Sequence, residues 1–318
     1  MPSSPRRRVS RSSNFTKPRS AQPAGVGDTD RWLRCRHNSS CRLRYGRCVT
    51  HLYLDEHDCF INFTVMPGQG PTHVYLPGLL CPAAATLLKV AVHPRLAATQ
   101  AIMVDYLGCG LSDRPAEFSH TMRDHAATVA SILDHLEVRD TVIVGHSMGG
   151  TVGLLLALER PDLVGCLVLG ESNLLPGGGD GTRRIASFTE QEWIADAAPA
   201  ELRALRLAAT AGNAEAADYL AIRQWGSDPR AVHAASVDIV ALDPSTQQRF
   251  LDLQIPRTFL YGARTLDHLA GRWTPDVPDR ALLEHHGVTT FVVPDAGHSM
   301  FSDNLDASVD SVVRSTSP

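Results

Sequence analysis

A serine sits between two glycines in Gly145-His146-Ser147-Met148-Gly149, and a histidine, His298, follows it toward the far end of the chain. A hydroxyl becomes a strong nucleophile when an imidazole takes its proton, and the imidazole does so when a carboxylate holds its second nitrogen. These residue types suit acyl transfer: attack on a carbonyl, a covalent acyl-enzyme, and release by water. Two carboxylates, Glu171 and Asp267, lie at predicted strand ends between the serine and the histidine, in the order a serine on a strand-to-helix turn requires. The oxyanion formed by attack needs two backbone N–H donors, one from the residue after the nucleophile and one from a loop after an earlier strand. Met148 and Leu79, the latter just past Pro77-Gly78, are placed to supply them.

The elements that must position these groups are legible in the hydrophobic pattern. Thr141 to Val144 reads as a short buried strand that runs straight into the serine turn. A helix, Met148 to Glu159, follows; it is apolar on nearly every side and stops at Arg160-Pro161, because the residue before proline avoids helical geometry. Upstream, Cys48 to Met66 predicts an antiparallel hairpin around Asp55-Glu56-His57-Asp58. Then come a strand in THVYLPGLL, a helix over about 83–98, and a strand from Ala101 to Val104 that opens into a glycine-rich loop. From Ser119 to Glu137, apolar residues recur at steps of three and four, the period of an amphipathic helix. Gly165 to Ser172 is a further buried strand. Repeated strand-helix-strand order with continuous apolar runs predicts an α/β fold, a mostly parallel doubly wound sheet covered on both faces.

Between about residues 172 and 253 the pattern becomes a glycine-rich stretch and then helical segments around 190–196, 200–210 and 214–225, with no strand-like run. This predicts a helical cap (172–253) inserted into a core of 48–171 and 254–318. The glycine run lacks the Lys-Ser/Thr of a phosphate-binding loop. After Ile255-Pro256 the sheet resumes with RTFLYGA, a helix at 278–286, the strand TTFVV, the loop carrying Gly297-His298, and a closing helix at 305–314. Asp105 is expected to tie down its own loop, Asp113 and Arg114 to pair at the surface, His146 to pack in the turn, and Asp295 and Asp303 to be structural.

Together, Gly145-His146-Ser147-Met148-Gly149-Gly150, the loop from Asp105 to Pro115, Gly297-His298 and the inserted cap make the chain resemble the α/β-hydrolase superfamily over about residues 48–314. The resemblance implies a Ser147-His298-acid triad. Many relatives carry the acid about three residues after the glycine of the seventh strand; here Gly262 is followed by Ala263-Arg264-Thr265, and Asp267 stands two positions late. Some branches place it at the end of the sixth strand, where this chain has Glu171, so Glu171 is favoured and Asp267 is the alternative. Relatives commonly read His-Gly where this chain reads Pro77-Gly78. Epoxide hydrolases and dehalogenases of the superfamily carry Asp at the nucleophile position and are disfavoured. The expected activity is that of an esterase-like serine hydrolase acting on a small acyl substrate with an apolar portion, with no cofactor or metal. A thioesterase, a carbon-carbon bond hydrolase or lyase, and a ligand-binding protein on the same fold are the alternatives.

Charge is unevenly spread: residues 1–48 carry 12 Lys/Arg against 2 Asp, and the remainder 18 basic against 32 acidic residues. The Arg-, Ser- and Pro-rich residues 1–47 lack any apolar period and are expected to be a disordered basic tail. Their early arginines are not followed by the apolar stretch of an export signal. No nucleic-acid or membrane partner is expected. The seven cysteines are odd in number and include no C-x-x-C, which suits reduced thiols and a cytoplasmic location.

Overall fold

The computed structural model describes residues 49–269, 274 and 277–316. The expectation of a disordered basic tail falls on residues outside these. Among the described residues the strands form one eight-stranded sheet in the order β1-β2-β4-β3-β5-β6-β7-β8. β1 (Val49–Leu54) and β2 (Cys59–Met66) form an antiparallel hairpin at one edge, and β2 runs antiparallel to β4 (Gln100–Asp105). From there β3 (Thr72–Leu76), β5 (Thr141–His146), β6 (Val164–Gly170), β7 (Arg257–Gly262) and β8 (Thr289–Val293) are all parallel to their neighbours.

Alternation along the strands feeds two cores. Val74, Ile102, Ile143, Leu167 and Leu169 pack on one face, and Tyr75, Met103, Val142, Val144 and Val168 on the other. Both faces are therefore sealed by helices, which is why the strands read as unbroken apolar runs. α1 (Ala83–Ala91) is shorter than its apolar run: it ends before Pro94, which opens a separate short turn at Pro94–Leu96. α2 (Met122–His135) begins at Thr121, whose hydroxyl accepts from the Asp124 N–H at 3.1 Å. In α3 (Met148–Glu159) every residue from Met148 to Ala157 is buried, as an all-round apolar helix must be.

Between β6 and β7 the described chain is helical: α4 (Asp180–Ala186), α5 (Ala198–Thr210), α6 (Ala214–Ala221), α7 (Pro229–Val240) and α8 (Thr246–Asp252). Trp193–Ala197 and Ile222–Gly226 are π-helical turns that lead into α5 and out of α6. The sequence pattern did not single out α4, α7 and α8: α4 and α8 are only seven residues long, and the buried face of α7 is mostly small or polar. α9 (Ala263–Leu269), α10 (Arg280–His285) and α11 (Leu305–Thr316) complete the second half of the core. None of the described helices is long and apolar enough to cross a membrane. Cys59, Cys81, Cys109 and Cys166 are buried free thiols.

Candidate active site

The carboxyl ends of β3, β5, β6, β7 and β8 converge on one cavity of about 1580 Å³, where parallel sheets of this kind commonly bind ligands. Ser147 lines it from the turn between β5 and α3. Its φ of 52° and ψ of −123° lie where a residue with a side chain is strained, a mark of functional turns. The flanking glycines make that turn possible. A Cβ on Gly145 would sit 2.6 Å from Gly150 Cα, and one on Gly149 would sit 2.1 Å from the Leu76 carbonyl oxygen. The Ser147 N–H donates to Gly170 O at 2.8 Å, which ties the turn to the end of β6.

Glu171 follows β6 directly, again at a positive φ of 40°. Its buried carboxylate reaches two partners across the sheet ends. Oε1 accepts from the Gly262 N–H at 2.8 Å, and Oε2 accepts from His298 Nδ1 at 2.9 Å. Burial alone would raise the Glu171 pKa; the His298 hydrogen bond and charge, the Gly262 N–H and the Thr265 hydroxyl outweigh it and hold the carboxyl below its ordinary value. Asp267 lies exposed on α9 and is not among the groups around the cavity. The structure thus brings Glu171, and not Asp267, to His298. With Nδ1–H committed to the carboxylate, the neutral imidazole keeps Nε2 as its acceptor.

His298 sits half-exposed on the loop after β8. Gly262 carries no side chain because a Cβ there would lie 2.5 Å from the Gly297 carbonyl oxygen. Asp303 accepts from the Gly297 N–H at 2.8 Å and pairs with Arg264 at 2.7 Å, a structural role as the sequence suggests. His146 does more than pack: its Nε2–H donates to the His298 carbonyl at 2.7 Å. Burial, with the adjacent His298, lowers its pKa to about 4, so it is a neutral donor near pH 7.

Leu79 lies on the turn after β3, and Met148 is the first residue of α3. Among the described residues neither N–H is taken by an acceptor. The two segments are pressed together, since a Cβ on Gly78 would lie 3.5 Å from Ser147 Cβ. Asp105 accepts from Ala83 N–H at 2.9 Å and Leu111 N–H at 3.0 Å, and so anchors its own loop. Asp113 does not pair with Arg114. It accepts from the Phe60 N–H at 2.7 Å and its own N–H donates to Phe60 O at 2.9 Å, because β2 runs past the end of β4 there.

A model of the alpha/beta hydrolase family matches residues 74–310, a span that takes in the parallel strands from Val74 onward, the helices between β6 and β7, and Leu79, Ser147, Met148, Glu171 and His298. The chain belongs to the alpha/beta hydrolase family. Similarity to curated members is local. Haloalkane dehalogenase 2 of Mycobacterium tuberculosis is 34% identical over 115 residues, 34% of this chain and 37% of that protein. The 2-hydroxymuconate semialdehyde hydrolase of a Pseudomonas species is 37% identical over 79 residues, 24% of this chain and 28% of that one. The chain therefore aligns with only about a third of the length of these relatives. In fold the likeness extends over most of the chain: an esterase from Exiguobacterium antarcticum superposes with a TM-score of 0.66 at 16% identity, over 83% of this chain and 98% of that one.

Four residues at the site of this alpha/beta hydrolase were not singled out as functional from the sequence: His146 as a donor to the His298 loop, Thr265 beside Glu171, and Arg223 and Ser227 from the cap. His146 and Thr265 lie next to motif positions, where a reading by spacing could have looked. The two cap residues stand in no motif, and nothing local marks them.

Proposed function

We propose that the protein is a serine hydrolase that cleaves a carboxylic ester or related acyl substrate through an acyl-enzyme on Ser147. The observation that carries this is the Glu171-His298 hydrogen bond of 2.9 Å at the rim of the cavity that Ser147 lines from its strained turn. Glu171 holds His298 in the tautomer whose Nε2 accepts the Ser147 proton. The alkoxide attacks the substrate carbonyl, and the Leu79 and Met148 N–H groups stabilise the oxyanion. His298 then returns the proton to the leaving group, deprotonates water, and so releases the acid and regenerates Ser147.

Similarity to a haloalkane dehalogenase does not carry that activity across. Halide displacement by Ser147 would leave an alkyl ether, which water cannot cleave by acyl chemistry, whereas an aspartate there would leave an ester. A second reading is hydrolysis of a carbon-carbon bond, favoured by the similarity to the 2-hydroxymuconate semialdehyde hydrolase and open to the same triad. The cavity is larger than a typical small-molecule pocket of about 300–1,000 Å³, and Leu79, Leu205, Tyr219, Ile222 and Trp225 on its wall suit an apolar acyl or alcohol portion.

The test is covalent labelling with a fluorophosphonate, followed by turnover on matched esters, thioesters and β-diketones. Stoichiometric labelling at Ser147 that disappears in Ser147→Ala, with fastest turnover on esters, is the expected result. No labelling of the folded protein would point to a ligand-binding module instead.

A further inference from the structure

The Leu79 N–H belongs to a tight turn, Gly78-Leu79-Leu80-Cys81, closed by the Cys81 N–H donating to Gly78 O at 2.9 Å. The Gly78 carbonyl and the Leu79 N–H are opposite ends of one peptide plane, so this bond sets the direction of the donor. The turn is strained at its next residue: Leu80 has φ +46°, a region that favours glycine, yet it carries a fully buried leucine side chain. Such a conformation persists only when its surroundings over-determine it.

Both carbonyls that flank Leu80 are held by the cap. Arg223 Nη1 donates to Leu79 O at 3.1 Å, and Ser227 Oγ donates to Leu80 O at 2.7 Å. Arg223 issues from the π-helical turn Ile222–Gly226, a wide turn of a kind often found at functional sites. The residue is 8% exposed, its Nη2 donates to Tyr219 Oη at 2.7 Å, and the centre of its guanidinium lies 5.0 Å over the Tyr219 ring. Among the described residues no carboxylate forms an ion pair with it, and its Nε has no acceptor. The nearby Glu201 carboxylate favours the charged form from a distance but is itself paired with Arg184, so direct ion pairing does not explain the burial of Arg223. The same cap segment is stitched to the glycine-rich loop: Gly110 N–H donates to Gly226 O and Asp228 N–H to Gly108 O, each at 2.8 Å.

We propose that Arg223, with Ser227, is a positioning residue for the oxyanion hole: the cap grips the turn at Leu79 and Leu80 and so aims the Leu79 N–H. This rests on the serine-hydrolase reading of the site. It makes the cap part of the catalytic apparatus as well as the wall of the pocket. It also accounts for a working turn in a chain that has Pro77, which has no N–H, where relatives carry histidine. Because the oxyanion exists only after attack, loss of the grip acts on the transition state and not on substrate binding.

The experiment compares Arg223→Met, Arg223→Lys and Ser227→Ala with the unaltered full-length chain, using p-nitrophenyl butyrate for turnover, a trifluoromethyl ketone as tetrahedral analogue, and fluorophosphonate end-point stoichiometry to count intact sites. Removal of an oxyanion donor costs about 10²–10³ in kcat elsewhere, so loosening one is expected to cost about ten- to a hundredfold in Arg223→Met and less in Ser227→Ala. KM should stay within about twofold, analogue affinity should fall in parallel with kcat, and Arg223→Lys, which keeps a donor for Leu79 O, should recover most of the loss. A loss confined to KM would make Arg223 a substrate-binding group and overturn the proposal. A fall in labelled sites with unchanged kcat per site would make it a folding contact and overturn it equally. Should Arg223→Met fail to fold, Ser227→Ala decides: unchanged kcat and analogue affinity there sink the grip. Absence of labelling in the unaltered chain would instead overturn the serine-hydrolase reading itself.

Discussion

The Glu171 carboxylate is buried yet favours its charged form, because His298 and the Gly262 N–H both bond to that form. Glu171→Gln keeps the shape and removes the charge. Turnover on an activated ester is expected to fall by up to about 10⁴-fold, the loss seen when an orienting acid is neutralised. Asp267→Asn, on the exposed face of α9, is expected to leave it unchanged; the reverse outcome in steady-state kinetics would move the acid to Asp267. The same carboxylate ties stability to pH. Its folded-state pKa lies below its unfolded value of about 4.3, so its contribution is complete above that value and is lost as pH falls through the folded one. The difference in Tm between the unaltered chain and Glu171→Gln should therefore be largest near pH 6 and shrink toward pH 3. A difference that grows with acidification would show that the charged form is not favoured. The serine, the histidine and both candidate acids were legible because each stands at a predicted strand end. What the sequence could not decide was which acid reaches the imidazole. That depends on β6 and β7 being neighbours, so that the Gly262 N–H meets Glu171 Oε1, a pairing across 91 residues.

At the scale of elements, the turn between β5 and α3 is a packing problem as much as a catalytic one. Gly149 lets the start of α3 lie against the end of β3, with no room for a methyl group beside the Leu76 carbonyl. Gly149→Ala is expected to destabilise the fold by about 1–3 kcal/mol, the usual cost of overpacking. Thermal unfolding would register this as a fall in Tm of several degrees, at about 2–4 °C per kcal/mol for a domain of this size. The displaced helix start should also lower the rate of fluorophosphonate labelling at Ser147. Gly181→Ala is the control, since a Cβ there meets nothing within 4 Å. The strands and α3 were readable because their apolar runs are long and unbroken. In the cap, by contrast, α7 begins at Asp228, whose side chain accepts from Arg230 N–H, and it buries His233 and Ser236 along with Ala231, Val232 and Ala235. With Ile239 its buried positions recur at steps of three and four, but most are small or polar, so the stripe is too weakly apolar to stand out in a reading by hydrophobic spacing. The helical segment expected over 214–225 covers Arg223, but the widening of its last turn into a π-helix leaves no signature in a pattern tuned to steps of three and four.

For the whole molecule, the deciding feature is the split between where charge lies and where chemistry lies. Ser147, His298, Glu171, Leu79, Met148, Arg223 and Ser227 all fall within the stretch from Val49 to Thr316, and Gly46–Pro318 forms one compact unit by itself. Residues 1–48 hold 12 of the 30 Lys and Arg residues, and without them the remaining chain carries 18 basic and 32 acidic residues. None of the groups named for the site comes from residues 1–48, and the unit that holds them is compact by itself. Truncation to residues 46–318 is therefore expected to leave kcat and KM for a neutral ester within about twofold at 0.15 M salt. Binding is a different matter, because a basic segment supplies a salt-dependent, sequence-independent attraction to polyanions. Any retention of the full chain on heparin should vanish on truncation and weaken steeply with salt. Retention that survives truncation would place the polyanion-binding surface on the acidic body of the hydrolase, and a large loss of kcat would mean that residues 1–45 take part in the site.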